Sequence, residues 1–127
     1  MKKKRKTIDC IEYLSVEAPI EKVTYLENKQ SRYIHEYARN KEYSIVGCIR
    51  RNGFSQRDVN RQWNEIVELI RLKKVDGVIL SNIQTVAISI PEAYKKIGEI
   101  VAVGGIIVTV DDGLLGMSNL KFETEDK

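Results

Sequence analysis

Short apolar runs alternate along the chain with longer stretches in which apolar residues recur every three or four positions. Ile8 to Val16 is the first run and reads as a strand. Ala18-Pro19 breaks it, because proline disfavours helix for the residue before it and suits a helix start. From Ile20 to Asn40 the apolar positions Val23, Leu26, Tyr33, Ile34, Tyr37 and Ala38 have helical spacing, with charged residues on the other face. Tyr43 to Ile49 is a second strand, and Arg50-Arg51-Asn52-Gly53 is a turn. Asp58 or Asn60 is placed to cap a second helix, which runs to Leu72 with Val59, Trp63, Ile66, Val67 and Ile70 along one side. Pro91 opens a third helix whose apolar face is Ala93, Ile97, Ile100 and Val101, and Gly104-Gly105 ends it. Ile106 to Val110 is the last buried run, and Asp111-Asp112-Gly113 turns the chain. Leu114 to Lys127 reads as a short strand or the start of a helix.

The chain is organised around Lys73 to Ser89. Gly77-Val78-Ile79-Leu80 carries no charge and follows a charged turn, the pattern of a strand buried on both faces of a parallel sheet. The alternation of strand and helix predicts an α/β fold of three layers, α/β/α, around a mostly parallel sheet of four to five strands. In such sheets ligands sit beyond the carboxyl ends of the strands. That places Ser81 to Ser89 at any working crevice, and its polar members are Asn82, Gln84, Thr85 and Ser89, none of them charged.

Charge sharpens this picture. The chain is net +3, yet Lys2, Lys3, Lys4, Arg5 and Lys6 supply +5, so the rest sums to −2 and is no basic DNA-binding surface. Residues 1–6 read as a disordered basic arm able to contact DNA phosphates, and residues 7–127 as one domain. No apolar run is long enough to cross a bilayer and the basic start lacks a leader's apolar region, so the expected location is the cytoplasm, away from membranes. Cys10 and Cys48 fall in strands without metal-binding spacing, which predicts free buried thiols. His35, the only histidine, reads as an exposed helical residue. No metal site or cofactor is expected.

Several short motifs resemble those of resolvase/invertase-type serine recombinases. Tyr13-Leu14-Ser15-Val16-Glu17 lies on that family's Y-x-R-V-S, so the family's Arg falls on Ser15 and its nucleophilic Ser on Glu17. Gln30, Ile34, Tyr37 and Ala38 match its first helix. Ser55-Gln56 takes the place of its S-G, and Arg61 that of its phosphate-binding Arg; the Asp after strand two falls on Arg51 or Asn52. Val75-Asp76 and the following strand match its VD motif, but its D-R-L-x-R becomes Gln84-Thr85 and, for the last Arg, Ile88. The resemblance covers Tyr13 to about Gly113. It implies a resolvase-like, flavodoxin-like or Rossmann-like topology. It also implies that the family's long dimerisation helix and DNA-binding domain are lacking.

What the resemblance implies for chemistry is mostly loss. Phosphoryl transfer to a serine needs a hydroxyl nucleophile and several cations around the phosphate. Here Ser15, Glu17, Gln84, Thr85 and Ile88 replace the family's catalytic residues, and Arg61, Ser55 and Gln30 are the remnant of its phosphate-binding set. The expected role is a catalytically inactive, recombinase-like interaction or regulatory module linked to DNA recombination, paired with itself or with an active recombinase. Two alternatives stand beside it: a DNA-binding accessory protein using Lys2 to Lys6, and an enzyme of another type built on Glu17, Arg61, Asp111 and Asp112. If the strand ends converge as in the family, Arg61 is expected to face Glu17 across the crevice; otherwise both point into solvent.

Overall fold

In the computed structural model, which describes residues 7–52 and 55–115, five strands form one sheet in the order β2-β1-β3-β4-β5. The strands are β1 (Ile8–Leu14), β2 (Tyr43–Arg50), β3 (Gly77–Leu80), β4 (Ile106–Thr109) and β5 (Gly113–Leu115). The helices are α1 (Ile20–Arg39), α2 (Gln56–Arg71) and α3 (Ile90–Ala102), and a 3-10 turn, Ile83–Thr85, follows β3. The first four strands run parallel, and β5 folds back antiparallel on β4. The expected three-layer, mostly parallel architecture is present, and the segment after β4 supplies a strand. The basic residues Lys2, Lys3, Lys4, Arg5 and Lys6, and the tail beyond Leu115, lie outside the described residues.

The layers follow from the two-residue period of the strands. Cys10 and Leu14 of β1, with Ile79 and Val108, point to one face and meet Ile34 and Ala38 of α1. Ile11, Tyr13, Val78, Leu80 and Ile107 point to the other and meet α2 through Val59, Trp63, Ile66 and Ile70, and α3 through Ile97 and Ile100. All of β3 is buried, as its uncharged run predicts. Gly77 is there because nothing larger fits: a Cβ would come within 2.3 Å of the Ile106 carbonyl oxygen on β4.

Helix boundaries depart from expectation where a polar side chain competes for the cap. The cap of α2 is Ser55, whose Oγ accepts from the Asp58 N–H at 3.4 Å, so the helix starts a turn earlier than Asp58 or Asn60 would start it. Ser89 caps α3 in the same way through the Glu92 N–H. Val101 is exposed, while Lys96 takes an inward position on α3 and donates to Asn60 Oδ1 at 2.6 Å. The charged face of α1 is also not wholly solvated: Glu27 is fully buried. The thiols differ from expectation as well, since Cys10 is buried but Cys48 is exposed, and both are free. His35 is exposed, yet its Nε2 lies 3.3 Å from Glu12 Oε2.

Candidate crevice at the carboxyl ends of the strands

The ends of β1 and β3, the 3-10 turn and the start of α2 enclose a cleft of about 270 Å³. Ser15, Glu17, Arg51, Gln56, Asn82, Gln84, Thr85 and Ile88 line it. The crevice therefore lies where the parallel sheet predicted it.

Ser15 is its structural hub and is only 1% exposed. Its N–H donates to Gln30 Oε1 at 2.8 Å, and Gln30 Nε2 donates back to the Ser15 carbonyl at 3.0 Å and to Ser81 Oγ at 3.1 Å. The Ser15 hydroxyl donates to the Thr85 carbonyl at 2.6 Å. Gln30 on α1 thus locks the end of β1, and Ser15 ties β1 to the turn after β3. Thr85 Oγ1 donates to the Asn82 carbonyl at 2.8 Å, closing that turn on itself.

Among the described residues the cation lining the crevice is Arg51, which stands directly after β2. Its N–H donates to the Leu14 carbonyl at 2.8 Å, extending the β1–β2 ladder by one residue. Its guanidinium Nη1 donates to Ser15 Oγ at 3.3 Å and lies 3.9 Å from Glu17 Oε2. The Arg51 side chain is 10% exposed and that of Glu17 79%.

Behind Arg51, the Glu27 carboxylate accepts from the Asn52 N–H at 3.0 Å and lies 3.5 Å from Arg50 Nη1. Burial pushes its carboxyl above the ordinary carboxylate value, against the pull of the Asn52 N–H and of Arg50 and Arg51. Asn52 holds φ at 56°, a left-handed conformation that asparagine tolerates, and this aims its N–H at Glu27.

The expected sites fare unevenly. Ser15, Glu17, Gln84, Thr85 and Ile88 do come together around one crevice. Arg61 does not join them. It pairs with Asp58 one turn earlier on its own helix, and the partner of Glu17 is Arg51 instead. An i,i+3 pair forms without any long-range convergence, which is why it prevails at an exposed helix start. Ser55 is held as the α2 cap, and Gln30 is engaged with backbone. Asp111 accepts from Tyr33 Oη at 2.8 Å and Asn82 Nδ2 at 3.2 Å, and Asp112 N–H donates to Thr109 Oγ1, so the pair forms a turn. No group of three or more His, Cys, Asp or Glu side chains among the described residues could hold a metal ion. No helix among them is long and apolar enough to cross a membrane. Arg51 and Glu27 are the residues the sequence pattern passes over. Arg51 could have been found as the first residue beyond a strand's carboxyl end.

The strand order, the three helices and the crevice at the strand ends define an α/β fold of resolvase-like topology. No protein-family model matches the chain, and no curated protein matches it. Solved structures do match it in fold, among them the following two. A resolvase family site-specific recombinase from Streptococcus pneumoniae superposes with a TM-score of 0.73 at 20% identity, over 94% of this chain and 87% of that one. The N-terminal catalytic domain of TP901-1 integrase superposes with a TM-score of 0.66 at 13% identity, over 83% of this chain and 78% of that one. At these identities the likeness is one of fold.

Proposed function

We propose that the chain is a recombinase-like domain that no longer performs strand cleavage and serves as an interaction or regulatory module in DNA recombination. The observation that carries this reading is where the crevice hydroxyls go. Ser15 Oγ donates to the Thr85 carbonyl, and Thr85 Oγ1 to the Asn82 carbonyl. Ser81 Oγ accepts from Gln30, and Ser55 and Ser89 are helix caps. A nucleophile needs an accessible hydroxyl next to a base or cations. At the position where the resemblance puts the nucleophile stands Glu17, a carboxylate. Two like charges about 4 Å apart repel by roughly 4 kcal/mol at an effective dielectric near 20, so a phosphate is disfavoured beside it.

The test has two parts. Incubated with supercoiled plasmid and quenched with detergent, the full chain should leave no covalent protein–DNA adduct; an adduct overturns the reading. Added to an active resolvase-type recombinase acting on a two-site plasmid, it should change the recombination rate in proportion to its concentration. A rate unmoved at saturating chain would remove the regulatory role.

A further inference from the structure

The polar crevice does not end at Ile88. A second cleft of about 330 Å³ continues from it, sharing Asn82, Gln84 and Ile88, and is walled by Ile83, Ala87, Ile90 and Leu115. Ile88 is 74% exposed and Ile90 57%, so the rim offers apolar surface to solvent. Ile88 is held in place, since its N–H donates to Glu92 Oε1 at 2.9 Å.

The charge that the joined clefts show to solvent is negative. Glu17 lines the first cleft and Asp112 the second, so a carboxylate stands on each side of the shared residues. Asp111, next to Asp112, accepts its hydrogen bonds from Tyr33 and Asn82, both neutral. The two aspartates are exposed, and neither forms an ion pair among the described residues. Arg51 does not offset them, because its side chain is almost wholly buried and its guanidinium is engaged by Ser15 and Glu17. The Glu17 side chain is 79% exposed and its contact with Arg51 is long, 3.9 Å, so its carboxylate still faces solvent.

We propose that the joined clefts are a groove for a short segment of a partner protein in which two basic side chains flank apolar ones. This rests on the interaction-module reading and names the partner's chemistry. One basic side chain meets Glu17 and the other Asp112, while the apolar side chains between them lie against Ile83, Ile88 and Ile90. The side-chain amides of Asn82 and Gln84, which belong to both clefts, suit the peptide groups of a bound backbone. The two kinds of contact have separate tasks. Exposed ion pairs add little affinity and mainly steer and orient the partner, whereas burial of apolar surface holds it. The same rim repels carboxylates and phosphates, so neither an acidic segment nor duplex DNA fits.

The probe is a random dodecapeptide library selected against the full chain, followed by titration of a labelled selected peptide. Selected peptides should carry Lys or Arg on both sides of Leu, Ile or Phe. Glu17→Gln and Asp112→Asn should each weaken binding about twofold to fivefold, and Ile88→Asn at least about tenfold. All three residues are exposed, so the variants report on the groove rather than on folding. Glu65→Gln, an exposed carboxylate of α2 outside both clefts, should leave the affinity unchanged. Four outcomes overturn the proposal: no selected peptide; peptides without Lys or Arg; affinity unmoved by Ile88→Asn or by Glu17→Gln and Asp112→Asn together; or a loss as large from Glu65→Gln. Three others name a different occupant and also overturn it. A dimer that Ile88→Asn dissociates makes it a second copy. A labelled 20-base-pair duplex whose binding is lost in Ile88→Asn makes it nucleic acid. Severalfold tighter peptide binding when Lys2, Lys3, Lys4, Arg5 and Lys6 are all changed to Gln makes it the chain's own basic arm. A covalent DNA adduct defeats the functional reading, whereas absence of peptide binding without an adduct defeats this inference alone.

Discussion

Arg51 Nη1 donates to Ser15 Oγ at 3.3 Å, joining the residue after β2 to the residue after β1. By the resemblance, Ser15 stands where serine recombinases carry Arg, and Arg51 is one of the two positions where their Asp falls. In this crevice the guanidinium stands at the end of β2 and a hydroxyl at the end of β1. Arg51 sits between a buried carboxylate, Glu27, and an exposed one, Glu17. Removing Arg51 therefore changes both the crevice and the support behind it.

Glu27 makes stability depend on pH. Burial raises its folded-state pKa, against the Asn52 N–H and Arg50. A raised carboxyl pKa means that the folded state binds the proton more tightly than the unfolded chain does. The contribution of Glu27 is therefore most favourable below the unfolded value of about 4.3 and declines as pH rises through the folded value. Glu27→Gln mimics the neutral form. It is expected to unfold at higher urea than the natural chain at pH 7, with the difference vanishing toward pH 4. A variant less stable than the natural chain at pH 7 would show that the Arg50 and Asn52 contacts outweigh desolvation.

Gly77→Ala should destabilise the fold by about 1–3 kcal/mol or more, the usual cost of overpacking. The added methyl meets the Ile106 carbonyl at 2.3 Å, and backbone on a paired strand cannot swing aside as a side chain can. Urea unfolding measures this directly. An unchanged midpoint would mean that β3 and β4 separate without cost.

The two thiols should be told apart by alkylation. Burial pushes the Cys10 thiol up to about 12; Cys48, although exposed at the surface, is pushed up to about 11 by the partial desolvation of its sulfur together with the Glu12 carboxylate. The thiolate is the reactive form, so Cys48 should react slowly with iodoacetamide at pH 8 and faster as pH rises toward 11. Cys10 should react only after unfolding. Glu12→Gln should accelerate Cys48 by removing the charge beside it. An unaltered rate would show that desolvation alone sets its reactivity.

The mostly parallel sheet, its alternation with helices and the position of the crevice were legible because they depend on periodicity and element order. Runs such as Gly77 to Leu80 and the 3.6-residue spacing of Val59, Trp63, Ile66 and Ile70 report burial directly. Glu27 and Lys96 were not legible. A charged residue at an inward position looks like a solvated face until its partners, Asn52 and Asn60, are brought in from distant segments. The Arg61–Glu17 pairing failed for a related reason. It required two distant elements to converge, whereas Asp58 competed for Arg61 from within one helical turn. Arg51 was hidden inside what reads locally as a turn, and only the register of β2 against β1 sets it beside Ser15.

The crevice should not acquire recombinase chemistry by a single substitution. Glu17→Ser alone should yield no DNA cleavage, because the cations expected at 15, 85 and 88 remain absent and residues that act as a unit do not contribute additively. Ser15→Arg is the next obvious step, but it would drive a second guanidinium into a site that is 1% exposed and already faces Arg51. An unpaired buried charge of this kind costs about 3–5 kcal/mol. Arg51→Asp alone is equally unfavourable, since it sets a carboxylate near Glu27 and Glu17. Together, Ser15→Arg and Arg51→Asp return the two signs in exchanged places, and the new pair can satisfy itself. The double variant should therefore be more stable than the sum of the single changes by about 1–3 kcal/mol in a urea double-mutant cycle. Strict additivity would mean that the ends of β1 and β2 do not sense each other's charge.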